Sequence, residues 1–312
     1  MFIKFFLVNN FVKRFYFIKI NIKSICLVEF LINNKETNNK IFDFTIFDFS
    51  LVKKFMTLRD SGFCLNKPLP LNFISIESKS FIEFENLEIL ALIDVGLIEI
   101  TSNSFQYLPK LKELYLCHNR INKIDSNAFK DLFNLEKLIL SFNRLMKIDF
   151  NLFQNLNKLN NLEMESNEYL AIDSKHLKNL INLNELNLSR VNLINIEALF
   201  LNLNNLNELF LSCNNIEKIE SNDLYGLNNL NILYLSHNKL AKIESGAFRH
   251  LKKLKYLNLA FNKIEQIDSD VFKTLENLDE LSMEYNTFLT NIDSNAFENL
   301  KNIKKIYLGN LL

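Results

Sequence analysis

The side chains best able to bind a metal or act as nucleophiles are few: four cysteines, Cys26, Cys64, Cys117 and Cys213, and four histidines in 312 residues. Cys117 and Cys213 recur four strands apart in the period described below. At about 4.8 Å per strand that is roughly 19 Å, beyond the ~7 Å a disulfide spans. His118 and His237 lie five strands apart, on the order of 24 Å. Cys213 and His237 fall on neighbouring strands, but two residues without a third partner make neither a metal site nor an activated nucleophile. No CxxC pair, HExxH pair or glycine-rich phosphate loop occurs, and five Gly and three Pro leave little material for one. No catalytic, cofactor or metal residue is assigned, and the chain is expected not to be an enzyme.

A second set of residues suits recognition rather than catalysis. Glu113, Tyr115, Glu163, Glu185, Glu208, Phe210, Tyr234, Tyr256 and Glu280 recur at the third and fifth places of a repeating segment. Aromatic rings give a large contact area with few torsions to freeze, and interleaved carboxylates add charge selectivity. These nine are the candidate partner-binding residues. The seventh place is mostly small (Ser141, Ser189, Ser212, Ser236, Ala260), which leaves room for a ligand at one edge.

What must position them is an internal repeat. Segments beginning at Leu87, Leu111, Leu135, Leu159, Leu183, Leu206, Leu230, Leu254 and Leu278 align at steps of 24 residues, with one step of 23 after Leu183, and the last runs to Asn302. The shared pattern is L-x-x-L-x-L-x-x-N-x-I-x-x-I-D-S-x-x-F-x-x-L-x-x. Leucines at places 4 and 6 alternate with variable residues, the period-2 signature of a half-buried strand. A 24-residue unit cannot bury its own apolar residues, so successive units must stack with their strands in one parallel sheet. The Asn at place 9 (Asn119, Asn143, Asn167, Asn214, Asn238, Asn262, Asn286) is costly to bury unless paired, so it is expected to bond to the turns of adjacent units. Val95 and Val191 replace it in the first and fifth units, and the fifth is the short one, which predicts a local irregularity. The acidic place 15 (Asp125, Asp149, Asp173 and successors) is a candidate cation stripe, but Asp followed by Ser more readily caps a turn.

This pattern resembles the leucine-rich repeat family, in the 24-residue class found in animal cell-surface and secreted proteins such as Toll-like receptors, Slit and chaoptin. The resemblance implies an α/β-type repeat solenoid, a curved horseshoe with a parallel β-sheet on the concave face and turns or short helices on the convex side. It also implies a non-catalytic protein-binding module of adhesion, receptor or matrix type, located outside the cell or at its surface. The alternative is an intracellular scaffold or adaptor, because the cysteine-rich caps usual in the surface group have no counterpart here. A single glycosylation sequon, Asn187-Leu188-Ser189, falls on the strand face.

The organisation expected is a non-repeat segment at 1–62, a degenerate opening unit at 63–86, nine repeats at 87–302 and the start of a tenth at 303–312. Residues 1–62 suit an irregular cap, a targeting or membrane-surface segment, or a misassigned start, with a strand-like alternation at Ile18, Ile20 and Ile22. Their apolar run Phe5 to Val8 is too short for a secretory signal core, and no stretch reaches the ~20 apolar residues of a membrane span. No polar cap follows Ile306 and Tyr307, so either the sequence is a fragment or that end associates with a partner, end to end. The 36 basic and 36 acidic residues balance, which argues against a nucleic-acid ligand. The balance is a cancellation: 1–62 hold 10 basic and 5 acidic residues, so the remainder holds 26 and 31. A protein partner with some basic surface is expected.

Overall fold

The computed structural model describes residues 75–310 apart from 77–79 and 83, together with five short strands nearer the start. The strand-like alternation at Ile18–Ile22 lies outside the described residues. From Ile89–Ile93 through Glu113–Tyr115, Lys137–Ile139, Asn161–Glu163, Glu185–Asn187, Glu208–Phe210, Ile232–Tyr234, Tyr256–Asn258 and Glu280–Ser282 to Lys305–Tyr307, each unit contributes one short strand to a single parallel sheet. Ser24–Val28 pairs in parallel with Ile89–Ile93 at its first edge. The register repeats the sequence period without slippage: Glu113 faces Lys137, then Asn161, Glu185, Glu208, Ile232, Tyr256, Glu280 and Lys305. The short unit does not disturb this alignment.

Burial explains why. The central strand leucines Leu114, Leu138, Leu162, Leu186, Leu209, Leu233, Leu257 and Leu281 point into one continuous core, and each fully buried Leu contributes about 1.5–3 kcal/mol. A one-residue slip would turn every one of them to solvent. Behind them runs a column of buried phenylalanines, with Phe81 stacked on Phe105 at 6.3 Å and Phe105 on Phe129 at 5.9 Å. The column resumes as Phe248, Phe272 and Phe297 at 6.2 and 6.0 Å. Ile76, Phe81 and Phe84 join the core ahead of the first full unit.

Among the described residues the convex side is made mostly of turns and short strand pairings, with one four-residue helix, Ser174–Leu177, capped by Asp173. Four members of the acidic column act as turn caps: Asp125, Asp149, Asp173 and Asp293 accept the backbone N–H two residues on, at 2.8–2.9 Å. Short convex pairings such as Glu99–Ile100 with Lys123–Ile124 and Lys218–Ile219 with Lys242–Ile243 run alongside. The expected irregularity falls on this side: between Glu197 and Phe200 the fifth unit is one residue short, and Ala198 there adopts φ +55°.

The place-9 asparagines tie unit to unit. Asn143 Oδ1 accepts from the Ile121 N–H at 3.0 Å, and its Nδ2 donates to the Leu116 and Leu140 carbonyls, both at 2.9 Å. Asn167 then donates to the same Leu140 carbonyl at 3.1 Å and accepts from the Leu145 N–H. Asn119 begins this run, and a second run links Asn214, Asn238, Asn262 and Asn286 through the shared carbonyls of Leu211, Leu235 and Leu259. Between the runs stands Val191, so the junction of the fourth and fifth units has no such amide. Outside the core, Asn134, Asn182, Asn205, Asn229, Asn277 and Asn302 each donate to a carbonyl of the preceding unit, forming a second, exposed ladder at the start of the strands.

Removing a core amide leaves a buried N–H and two carbonyls short of a partner, each worth roughly 1–3 kcal/mol. Asn167→Ala is therefore expected to cost about 3 kcal/mol or more in urea-induced unfolding, whereas Asn182→Ala, which loses one exposed bond, should cost about 1 kcal/mol or less.

Candidate protein-binding face

Places 3 and 5 of each strand, with place 7 just beyond it, line the concave side, so the sheet displays three parallel columns. The register brings Glu163, Glu185 and Glu208 onto adjacent strands. Glu185 accepts a short hydrogen bond from the Asn161 amide. Glu208 sits directly beside Glu185, and partial burial followed by that neighbouring charge holds its carboxyl above the ordinary glutamate range. Lys137 lies 3.8 Å from Glu163 and 5.9 Å from the centre of the Tyr115 ring. It is the one Lys or Arg among the place-3, -5 and -7 residues of the five units from Leu111, against five Glu in the same columns.

The aromatic candidates divide. Phe210 meets Tyr234 edge-on, with ring centres 5.4 Å apart at 87°. Tyr234 and Tyr256 are each 37% exposed and border a hollow with Glu280, Glu284 and Tyr307. Glu280 is held by a short ion pair with Lys305. Tyr115 departs from expectation. Only 5% of it is exposed, because Ala91, Ile93, Cys117 and Ile139 form a small apolar cluster around it on this face. Its hydroxyl donates to Glu113 at 2.5 Å, and burial followed by that carboxylate pushes its pKa up. Tyr115 thus orients Glu113 rather than presenting a ring.

Place 7 is not uniformly small. Glu165 and Glu284 occupy it and project beside the place-5 residues, and Asn187 donates to Glu165 at 3.2 Å. The sequon asparagine is therefore tied into the sheet face: its Oδ1 also accepts from the backbone of Ser189, which is itself buried. Among the described residues two buried side-chain polar atoms have no hydrogen-bond partner, Ser141 Oγ and Asn161 Oδ1, and both belong to this face.

Place 8 ends each strand in the left-handed region. His118, Phe142, Ser166, Arg190, Cys213, His237, Phe261 and Tyr285 all have φ between 54° and 58°. In that conformation each N–H reaches the place-7 carbonyl of the next unit, as from Phe142 to Glu165 at 2.8 Å and from His237 to Ala260 at 3.0 Å. The conformation is unusual for bulky residues, yet here they stack along the rim. His118 lies on Phe142 at 4.4 Å, His237 on Phe261 at 4.1 Å and Phe261 on Tyr285 at 4.2 Å, all within 11° of parallel. Thus His237 stacks on an aromatic ring. Sequence reasoning missed this rim: alignment puts Phe142, Phe261 and Tyr285 in one column, but their stacking depends on a backbone conformation that residue type does not suggest.

No group of three or more His, Cys, Asp or Glu among the described residues is placed to hold a metal ion. No helix among them is long and apolar enough to cross a membrane.

No curated protein matches the chain in sequence. Solved structures do. The TLR13–ssRNA13 complex superposes with a TM-score of 0.66 at 26% identity, over 75% of this chain and 38% of that one. The glycosylated Toll–Spatzle complex of Drosophila gives 0.53 at 22% identity, again over 75% of this chain and 38% of the other, a likeness of fold alone. The chain thus spans well under half the length of either relative. The sequence profile described as Leucine rich repeat matches residues 85–145, 109–168, 181–240 and 228–288, together more than half of the chain. With the parallel sheet, the buried asparagines and the 24-residue register in agreement with that profile, the chain belongs to the leucine-rich repeat family.

Proposed function

We propose that the chain is a non-catalytic recognition module of extracellular or cell-surface type, which binds a protein through the concave sheet. The observation that carries this reading is the juxtaposition of rings with a surplus of carboxylates: half-buried Phe210 and exposed Tyr234 and Tyr256 lie among Glu163, Glu185, Glu208 and Glu280 on one sheet. Rings on a sheet that moves little on binding lose little entropy, and an acidic surface steers a basic partner. The fold likeness to Toll, solved with Spatzle, supports a protein ligand of the kind that relative holds. Glu113 belongs to the same surface, with Tyr115 behind it.

One expectation needs revision. The expectation against a nucleic-acid ligand does not stand on charge balance alone: a protein of similar fold, TLR13, is solved in complex with ssRNA. The acidic concave columns still favour a protein with basic surface over a polyanion.

The test is capture by the immobilised full chain from an array of purified secreted and surface proteins that includes ssRNA oligonucleotides. Combined Phe210→Ala, Tyr234→Ala and Tyr256→Ala substitution is expected to weaken capture about a hundredfold or more, with the urea midpoint nearly unchanged. Undiminished capture removes the concave face from the reading, and ssRNA binding in place of protein replaces it.

Acidity provides a second check. Because the Glu208 carboxyl is raised in the fold, it becomes neutral at a higher pH than an ordinary glutamate, so attraction for a basic partner fades early on acidification. Its contribution to folding has the opposite sense: present below the unfolded-state pKa and lost as pH rises through the folded value. Glu185→Gln is expected to lower the Glu208 midpoint in a carbon-13 carboxyl titration, leaving the part due to burial. Glu208→Gln should raise stability at neutral pH relative to acid pH.

A further inference from the structure

The edge of the sheet at the start of the strands carries a lysine cluster that the concave face does not use. The last place of each unit there is asparagine in six units and lysine in three, Lys110, Lys158 and Lys253. Each of these lysines reaches back one unit and donates to an amide oxygen at 2.7 Å: Lys110 to Asn86, Lys158 to Asn134 and Lys253 to Asn229. An amide orients an ammonium without neutralising it. Lys110 and Lys158 close units whose second place is an acid, Glu88 and Glu136, whereas Lys253 closes one whose second place is Asn231. Lys252 and Lys255 are exposed, and their ammonium groups have no hydrogen-bond or ion-pair partner among the described residues. The acids of the adjoining segment 276–280 are already taken, Glu276 by Lys301 at 3.3 Å, Asp279 by Lys304 at 2.9 Å and Glu280 by Lys305.

Lys253 and Lys255 border a hollow with the Asp279–Lys304 pair, and Asn231, Asn277 and Asn302 complete its wall. The wall amides already donate within the ladder, Asn277 to the Lys252 carbonyl, Asn302 to that of Glu276 and Asn231 to Asn207. An ammonium has three donors and no acceptor, so Lys253 keeps two beyond its bond to Asn229 and Lys255 keeps all three. An occupant must therefore accept several hydrogen bonds and carry negative charge. Oxyanions of two shapes qualify, and the donor type separates them. A planar carboxylate is matched by the rigid fork of a guanidinium, whereas ammonium groups are point charges with diverging donors, suited to a tetrahedral group with three terminal oxygens. We infer that this hollow is a subsite for a single sulfate or phosphate ester group, held between the ammonium groups of Lys253 and Lys255, with Lys252 beside them adding attraction.

This subsite lies off the concave face and stands independently of the reading proposed for that face. Both ammonium groups are open to water, so salt weakens the contact, and the test holds ionic strength constant with sodium chloride. Inorganic sulfate, inorganic phosphate and acetate are titrated into the full chain, with the lysine side chains followed by two-dimensional NMR. Saturable shifts at Lys253 and Lys255 are expected in the millimolar range for sulfate and phosphate, and severalfold weaker for acetate. Glucose 6-sulfate and glucose 6-phosphate then tell a sulfated source from a phosphorylated one, and a preference for either upholds the subsite. Lys253→Asn and Lys255→Asn each install the residue that other units carry at that place, so the urea midpoint should hold while the saturable shift of the remaining lysine is lost. Lys158→Asn, the same exchange in a unit that contains Glu136, should leave the shifts unchanged. Shifts spread alike over all lysines, an equal response to acetate, or persistence in both variants would overturn the subsite and reduce the cluster to solvated surface charge.

Discussion

The structure depends on satisfying a buried amide. Each turn from strand to convex side leaves backbone N–H and C=O groups pointing inward, where no water can reach them, and an apolar filler would strand them at roughly 1–3 kcal/mol each. Asparagine has one acceptor and two donor hydrogens on a short stem, and Asn119 uses them all: it accepts from Val95 and Leu97 and donates to Leu92 and Leu116. Because the bonds reach into the preceding unit, the same residue that closes one turn fixes the spacing to the next. The leucine core sets the driving force, but it is non-directional; the amides convert it into one register.

Much of this was legible before any coordinates. The strand leucines, the asparagine column and the acid caps each report a single local requirement that recurs from unit to unit, and repetition separates requirement from accident. Asp125 could be read as a turn cap because Ser126 follows it, and its carboxylate does accept from the Asn127 N–H. Packing among the free columns was less legible. Alignment places Tyr115 and Tyr234 on equivalent sites, yet one is buried beside Ile139 and Cys117 while the other is open. Exposure of a place-5 side chain is decided by the size of its neighbours on adjoining strands, a two-dimensional property that a column hides. Glu165 went unrecognised as part of the site for a similar reason: the seventh place was characterised by its serines rather than by its exceptions.

The rim shows a different limit. A left-handed residue in every unit would ordinarily be signalled by Gly or Asn. Here Phe142, Phe261 and Tyr285 take that conformation, and what residue type disfavours is offset by a backbone bond to the next strand and by ring stacking along the edge. Local propensity is a weak guide when the same strained geometry is over-determined by neighbours on both sides.

The valine at position 191 acquires a mechanical meaning. In a stacked array each unit is held mainly by its immediate neighbours, so stiffness is set junction by junction. At the other junctions from the first unit to the ninth an asparagine spans the gap, and at the fourth-to-fifth junction the sheet and the leucine core act without it. There the register is carried instead by side chains on the open face, Asn161 donating to Glu185 and Asn187 to Glu165, so this joint is clasped from its concave side rather than from its core.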